Sequence, residues 1–172
     1  SSSKALFCGG NTPSNSNVIS SVNIRNTGDA VDFGDLTIAT GEVPAGVSSS
    51  TRAIRMGGQD PGYSTVMDYV HFASQGNAAD FGDLTVSGGY RGGAGNNTRG
   101  LSLGGYEPGG VTNVIEFVTN STLGNATDFG NLVGNRIGCA GYGNSVFAFG
   151  SGGSTSGSFT DYKTEINQVN IV

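Results

Sequence analysis

The sequence predicts an all-β fold, a β-propeller-like array of short strands. Three observations predict it: a glycine-rich, charge-poor composition, clusters of β-branched and aromatic residues bounded by turn residues, and self-similarity with a period of about 48 residues. Glycine fills 31 of the 172 positions, charged residues make up 12% of the chain, and tryptophan is absent. Long amphipathic helices need charged faces and good helix formers, and this composition supplies few of either. A core must therefore be assembled from many small apolar strips. The recurrence of Val, Ile, Phe and Tyr in short clusters favours ordered strands over a disordered Gly/Ser-rich chain.

Three elements recur in order. The first is a short strand closed by a diglycine: Lys4-Ala5-Leu6-Phe7-Cys8-Gly9-Gly10, Arg52-Ala53-Ile54-Arg55-Met56-Gly57-Gly58, Arg99-Gly100-Leu101-Ser102-Leu103-Gly104-Gly105 and, more loosely, Phe147-Ala148-Phe149-Gly150-Ser151-Gly152-Gly153. The second reads Val18-Ile19-Ser20-Ser21-Val22, Val66-Met67-Asp68-Tyr69-Val70 and Val114-Ile115-Glu116-Phe117-Val118. Alternation places Val66, Asp68, Val70 and Phe72 on one face and Met67, Tyr69 and His71 on the other. Apolar residues on both faces are what sheets packed between two neighbours require. The third is a nonamer, Gly28-Asp29-Ala30-Val31-Asp32-Phe33-Gly34-Asp35-Leu36, which returns at Gly76–Leu84 and Gly124–Leu132.

These elements divide a single domain into units of about 1–48, 49–96 and 97–144, with a partial unit over 145–172. Proline marks the turn between the first and second elements at Pro13, Pro61 and Pro108, as its fixed φ suits. Gly/Ser/Asn-rich segments follow the third element, at about Thr40 to Ser50, Ser87 to Asn97 and Gly134 to Asn144. They read as connecting loops, with display of binding residues as the competing role. The proline turns, around Asp60-Pro61 and Glu107-Pro108, and these loops are expected on opposite rims. The diglycines are expected where sheets crowd toward a common axis.

The formal net charge is −5, and the eight Lys and Arg residues are scattered singly. With no basic stripe to neutralise phosphates, neither nucleic acid nor an anionic membrane surface is an expected partner. No stretch approaches 18 apolar residues, and the start, Ser1-Ser2-Ser3-Lys4, has neither an initiator methionine nor the apolar core of a signal peptide, so a soluble chain, processed or excerpted, is expected. Cys8 and Cys139 either pair or serve as small buried hydrophobes, and two thiols are too few for a metal site.

Several constellations invite a chemical reading. Asp32-Phe33-Gly34 and Asp80-Phe81-Gly82 spell the kinase metal-binding tripeptide, but the catalytic-loop motif and the strand lysine of that fold are missing. Asp29, Asp32 and Asp35, echoed by Asp80, Asp83 and Asp128, are candidate calcium ligands by type, although their spacing is not that of the familiar calcium loops. Capping of tight turns by Asp and Asn is the preferred reading. The glycine run at 88–93 precedes no helix and reads as loop. His71 has no partners converging on it and reads as a strand-surface residue. Asn96, Asn120 and Asn125 open Asn-x-Ser/Thr triplets of the glycosylation type. Tyr63, Tyr90, Tyr106 and Tyr142 lie in or near loops, where they are candidates for stacking on a sugar ring. No catalytic residue and no cofactor is expected.

A hydrophobic strand ending in a double glycine resembles the kelch-type propeller repeat, without the tryptophan usual in its later strand. The full run of strand, Gly-Gly, polar turn, Val-Ile-Asp-Tyr-like strand and nonamer is similar to tandem kelch-like repeats of bacteriophage tail, neck and fibre proteins, over nearly the whole chain. That resemblance implies a non-enzymatic structural or adhesive module on a virion surface. Its expected partners are other copies of itself, virion structural proteins, and a host-surface glycan or protein. A carbohydrate-binding propeller or filament subunit of cellular, extracellular origin is the alternative. The stretch Ile166-Asn167-Gln168-Val169-Asn170-Ile171 mirrors Ile19-Ser20-Ser21-Val22-Asn23-Ile24. The fourth unit is thus expected to end without its outer strand. Another polypeptide is expected to cover that edge, with a small four-bladed ring as the competing arrangement.

Overall fold

The computed structural model describes residues 3–11, 13–41, 43–59 and 61–172, and these form strands, bridges and turns with no helix. The first sheet contains β1 (Lys4–Cys8), β2 (Ser16–Asn23) and β3 (Val31–Thr40). The second contains β4 (Ala45–Ser48), β5 (Arg52–Met56), β6 (Val66–His71) and β7 (Ala79–Asp83). The third contains β8 (Gly92–Gly95), β9 (Arg99–Glu107), β10 (Gly110–Thr119) and β11 (Thr127–Asn131). The fourth contains β12 (Ala140–Gly143), β13 (Phe147–Ser151) and β14 (Ile166–Asn170). Each sheet is an antiparallel meander of strands consecutive in the chain, the arrangement short connections allow.

The three recurring elements are β5, β6 and β7 with their counterparts. The inner strands β4, β8 and β12 were not expected, because they lie inside the segments read as loops. Ala-Gly-Val-Ser, Gly-Gly-Ala-Gly and Ala-Gly-Tyr-Gly have too little β-branched or aromatic content to register as strands. Pairing with the diglycine strand orders them instead, as in Gly93 opposite Ser102 and Gly141 opposite Gly150. Each inner strand falls at the end of one sequence unit and pairs into the sheet of the next.

This extra crossing overturns the expected placement of the rims. The chain leaving β7 turns on the proline rim, where the Gly58 N–H donates to the Gly88 carbonyl at 2.9 Å and the Gly88 N–H to Ser64 at 3.3 Å. It then crosses the sheet as β8 and turns on the opposite rim only at residues 96–98. The proline turns and the first halves of the long segments therefore share a rim. Asp60, in the second proline turn, lies outside the described residues. On the far rim a side-chain oxygen closes each turn, Asn96 accepting from the N–H groups of Thr98 and Arg99 at 2.8 Å and Asn144 from Val146 and Phe147 at 2.8 Å.

The diglycines do not lie where sheets crowd one another. They end their strands in left-handed backbone, φ being +74° at Gly57 and +110° at Gly58, and a Cβ on Gly57 would meet the carbonyl oxygen of Gly88, in the segment that leaves its sheet after β7, at 2.7 Å.

Three apolar clusters serve the three interfaces in chain order. Ile19, Phe33 and Leu36 of the first sheet meet Val70 of the second. Val47, Ile54, Met56, Met67 and Phe81 of the second meet Val118 and Ala126 of the third. Leu101, Leu103, Ile115 and Leu132 of the third meet Cys139, Ala148 and Ile171 of the fourth. The two faces of β6 divide as the alternation predicts, Val70 toward the first sheet and Met67 toward the third.

The nonamer links one sheet to the next. Within β7 the pairing shifts so that Met67 opposes Gly82 and Asp68 opposes Asp80, leaving Phe81 as the extra, buried residue of a bulge. Phe33 and Phe129 are the extra residues of the same bulge in β3 and β11. The bulged backbone then accepts the next repeat's Gly-Asn-Ala. Gly124 and Ala126 N–H donate to Phe81 and Asp83 carbonyls at 2.8 Å, and the Asp83 N–H donates back to Asn125 Oδ1 at 3.0 Å. Gly76, Asn77 and Ala78 make the same three bonds to Phe33 and Asp35. A Cβ on Gly82 would lie 2.5 Å from the Gly124 carbonyl oxygen, whereas the Cβ position at Gly130 is open among the described residues.

Both glycines are left-handed, φ being +140° at Gly82 and +138° at Gly130, so alanine at either carries a backbone strain of about 1–3 kcal/mol. Only Gly82→Ala also pushes two backbones apart, which adds about 1–3 kcal/mol. Urea unfolding of the two variants is expected to show that difference, and equal losses would contradict the close contact.

Candidate functional site

One position on the middle strand carries the polar chemistry of every interface. It is Ser20 in β2, Asp68 in β6, Glu116 in β10 and Asn167 in β14, each one residue beyond the residue facing the bulge glycine or its place. Each of the last three reaches the preceding repeat, Asp68 within its outer strand and Glu116 and Asn167 just beyond theirs. Thr37 donates its hydroxyl to Asp68, Thr85 donates its N–H and hydroxyl to Glu116 Oε1 at 2.7 and 2.5 Å, and the Val133 N–H donates to Asn167 Oδ1 at 2.8 Å.

The two carboxylates are buried against arginines: Asp68 against Arg55, and Glu116 Oε2 against Arg91 at 3.0 Å. Arg91 also donates to Glu107 at 3.0 Å and to the carbonyls of Val86 and Gly104 at 3.0 and 3.3 Å. Such groups are tolerated in an interior because the charges are paired and hydrogen-bonded. Sequence reading missed this series, although a polar residue recurring at one register position of an otherwise apolar strand was its signal.

The candidate tyrosines divide between two places. Tyr63 and Tyr106 lie together on the proline rim, ring centroids 5.8 Å apart, and Tyr90 on that rim meets Phe159 edge-on at 5.3 Å. The turn between β13 and β14 folds over them, since a Cβ on Gly157 would lie 2.6 Å from the Tyr106 ring. Thr155 ties that turn by donating to Asp161 at 2.5 Å, and with Lys163 it holds the Asp161 carboxyl below its ordinary range. Tyr142 stands apart on β12, stacked on Phe149 at 5.2 Å and 47% exposed. On the opposite rim, Ser49, Ser50, Asn96, Asn97, Asn144 and Ser145 line a groove of 540 Å³.

The carboxylates weighed as calcium ligands are spread along the outer strands. Asp29, Asp32, Asp80, Asp83 and Asp128 are exposed and Asp35 half-buried, and no group of three His, Cys, Asp or Glu that could hold a metal ion occurs among the described residues. Asp83 accepts from the Thr65 hydroxyl at 2.8 Å, and Asp128 from the Gly130 N–H at 3.0 Å. Asn77 and Asn125, at the position of Asp29, take the capping role at the junctions. His71 is exposed at the end of β6, edge-on to Tyr69 at 5.5 Å.

Lys4, Arg52 and Arg99 open the first three of the four diglycine strands and lie over the rings of Phe33, Tyr69 and Phe117 at 5.5, 4.9 and 5.5 Å. Both cysteines are free thiols, Cys139 within the cluster between third and fourth sheets and Cys8 packed at the interface of first and second. Of the two roles open to them, that of small apolar packing residues is the one observed, Cys139 being buried and Cys8 partly buried. Burial pushes the Cys8 thiol up to about 11, with Arg55 opposing and Asp68 adding to the rise, and burial raises Cys139 as well. No helix among the described residues is long and apolar enough to cross a membrane. No protein-family model matches this chain, and no curated protein matches it.

Glu116→Gln is expected to destabilise the protein by about 1–3 kcal/mol, because it takes from the buried Arg91 one of its two carboxylates and leaves Glu107 as its charged partner. Arg91→Met combined with Glu116→Leu is expected to lose less than either single change, and additive losses in a denaturant cycle would contradict a paired role. For Cys8, alkylation of the native chain at pH 8 is expected to run on the order of 100-fold slower than in the unfolded chain. Because the folded thiol keeps its proton longer, its contribution to stability is complete below about pH 9 and falls as the pH rises toward about 11. Equal alkylation rates in the two states would contradict the burial of this thiol.

Proposed function

We propose that this chain is a non-enzymatic structural and adhesive module of a virion surface appendage, a kelch-like propeller-type array whose sheets act as blades and whose proline rim contacts a receptor. The observation that carries the reading is the repeated junction between sheets. The same three hydrogen bonds join the first sheet to the second and the second to the third, so the array holds its turns at fixed spacing. A rigid scaffold that displays turns is suited to adhesion, since ordered contact groups lose little entropy on binding. The resemblance to bacteriophage tail, neck and fibre repeats supports the virion setting.

A second reading, an extracellular carbohydrate-binding propeller of cellular origin, is favoured by one specific feature, the aromatic cluster of Tyr63, Tyr106, Tyr90 and Phe159 on a single rim. Aromatic faces with a polar hydroxyl suit contact with sugar rings, whose C–H faces are apolar.

Adsorption of the labelled 172-residue chain to bacterial cells, and to polysaccharide extracted from them, tests both. Saturable adsorption that Tyr63→Ala with Tyr106→Ala weakens at least tenfold, or about 1.4 kcal/mol, is expected, while Asn97→Ala on the opposite rim leaves it unchanged. Binding lost equally through either rim, or no binding to cells or polysaccharide, would contradict the proposed contact face.

A further inference from the structure

The first sheet differs from the other three in one respect. Among the described residues β1 has no inner strand beside it, where β5, β9 and β13 each pair with β4, β8 and β12. Those inner strands form a row in which backbone faces backbone. A Cβ on Gly93 would collide with the Gly46 carbonyl, and one on Gly141 with that of Gly93. A Cβ on Gly143 would lie 2.6 Å from the Gly95 carbonyl oxygen. Gly46 holds the place of Gly93 and Gly141 in β4, yet no described atom comes within 4 Å of its Cβ position. The row stops one member short, at a groove of 680 Å³ between the first and second sheets.

The groove continues an interface that the molecule already builds twice. It is walled by Ala5 and Leu6 of β1, Gly46 and Val47 of β4, and Ala53 and Val70 of the sheet behind. Its shape also selects the sequence of an occupant. All three inner strands have glycine second, as the close approach demands. The third residue answers the residue it meets on the next sheet. Val47 lies against Gly100, a Cβ there falling 2.5 Å from a Val47 methyl, while Ala94 shares its cluster with Ala148. The groove presents Ala53 at this point, which leaves room for alanine and not for valine.

We propose that this groove is a docking site for an extended strand of another polypeptide with the pattern small-Gly-Ala-small, paired antiparallel with β1 and stacked on β4. Main-chain hydrogen bonds along the β1 edge supply affinity, and the glycine and alanine places supply specificity, the general mode of strand addition to a sheet edge.

The test is a fluorescence-anisotropy titration of the 172-residue chain with an acetylated peptide Ser-Gly-Gly-Ala-Gly-Asn-Asn-Thr, joined to hydrogen exchange of the complex. Saturable binding with slowed exchange in Lys4–Cys8 is expected. A peptide with valine in place of the second glycine of its Gly-Gly-Ala-Gly core should bind at least tenfold more weakly. Gly46→Val should fill the groove and weaken binding at least tenfold, without lowering the thermal midpoint. The peptide variant keeps the test decisive should Gly46→Val unfold the protein. No saturable binding, equal binding of the valine peptide, or protection away from β1 would overturn the proposal. So would concentration-dependent dimerisation that protects β1 and excludes the peptide, since a second copy would then be the occupant.

Discussion

Backbone lying directly on backbone, at a separation only glycine permits, is the constraint on which the rest of this structure depends. Sheets in most β-proteins stack about 10 Å apart with side chains filling the space between. Here Gly82 and Gly93 bring parts of neighbouring sheets to peptide contact, and small residues such as Ala45, Val47 and Ala148 accompany the larger Met67, Phe81, Leu101 and Ile115 at the interfaces. That is the physical sense of a composition in which glycine is abundant and tryptophan absent. The cost is conformational, since each glycine gives up more backbone freedom on folding than any other residue. The hydrogen bonds of the Gly-Asn-Ala junction and the burial of Phe33 and Phe81 offset it.

Apolar packing is non-directional, so on its own it would specify these interfaces weakly. The buried pairs of Asp68 with Arg55 and Glu116 with Arg91 add directional contacts at the same height in successive sheets. Each carboxylate also reaches back to a threonine of the preceding repeat, so that a slip of one residue would strand a charge. We regard register, more than net stability, as what these pairs contribute, in keeping with the small net energy of buried ion pairs.

Much of the fold was legible because the period was. The diglycine strand, the Val-Met-Asp-Tyr-Val strand and the Asp-Phe-Gly strand occur where repetition placed them, and the fourth sheet ends at β14 without an outer strand, as the count implies. The inner strands were not legible, because Gly-Gly-Ala-Gly has no strand propensity and takes its conformation from Leu101 and Leu103 beside it. Missing them reversed the expected rims. In the candidate sites, Tyr63 and Tyr106 come together and Tyr142 stands apart, a division that strand register sets and spacing along the chain does not reveal. Arg91 escaped notice because its partners, Glu107 and Glu116, are separated from it by 16 and 25 residues, with no motif joining them.

The junction between sheets can be observed directly in the native chain by hydrogen exchange resolved to single amides. If the Gly-Asn-Ala segments hold the stack together, the amides of Gly76, Ala78, Gly124 and Ala126 will exchange only with global unfolding, at the rate of the buried amides of Ile54 and Leu101. Exchange of these four amides at the rate of exposed turns, while Ile54 and Leu101 remain protected, would contradict the account.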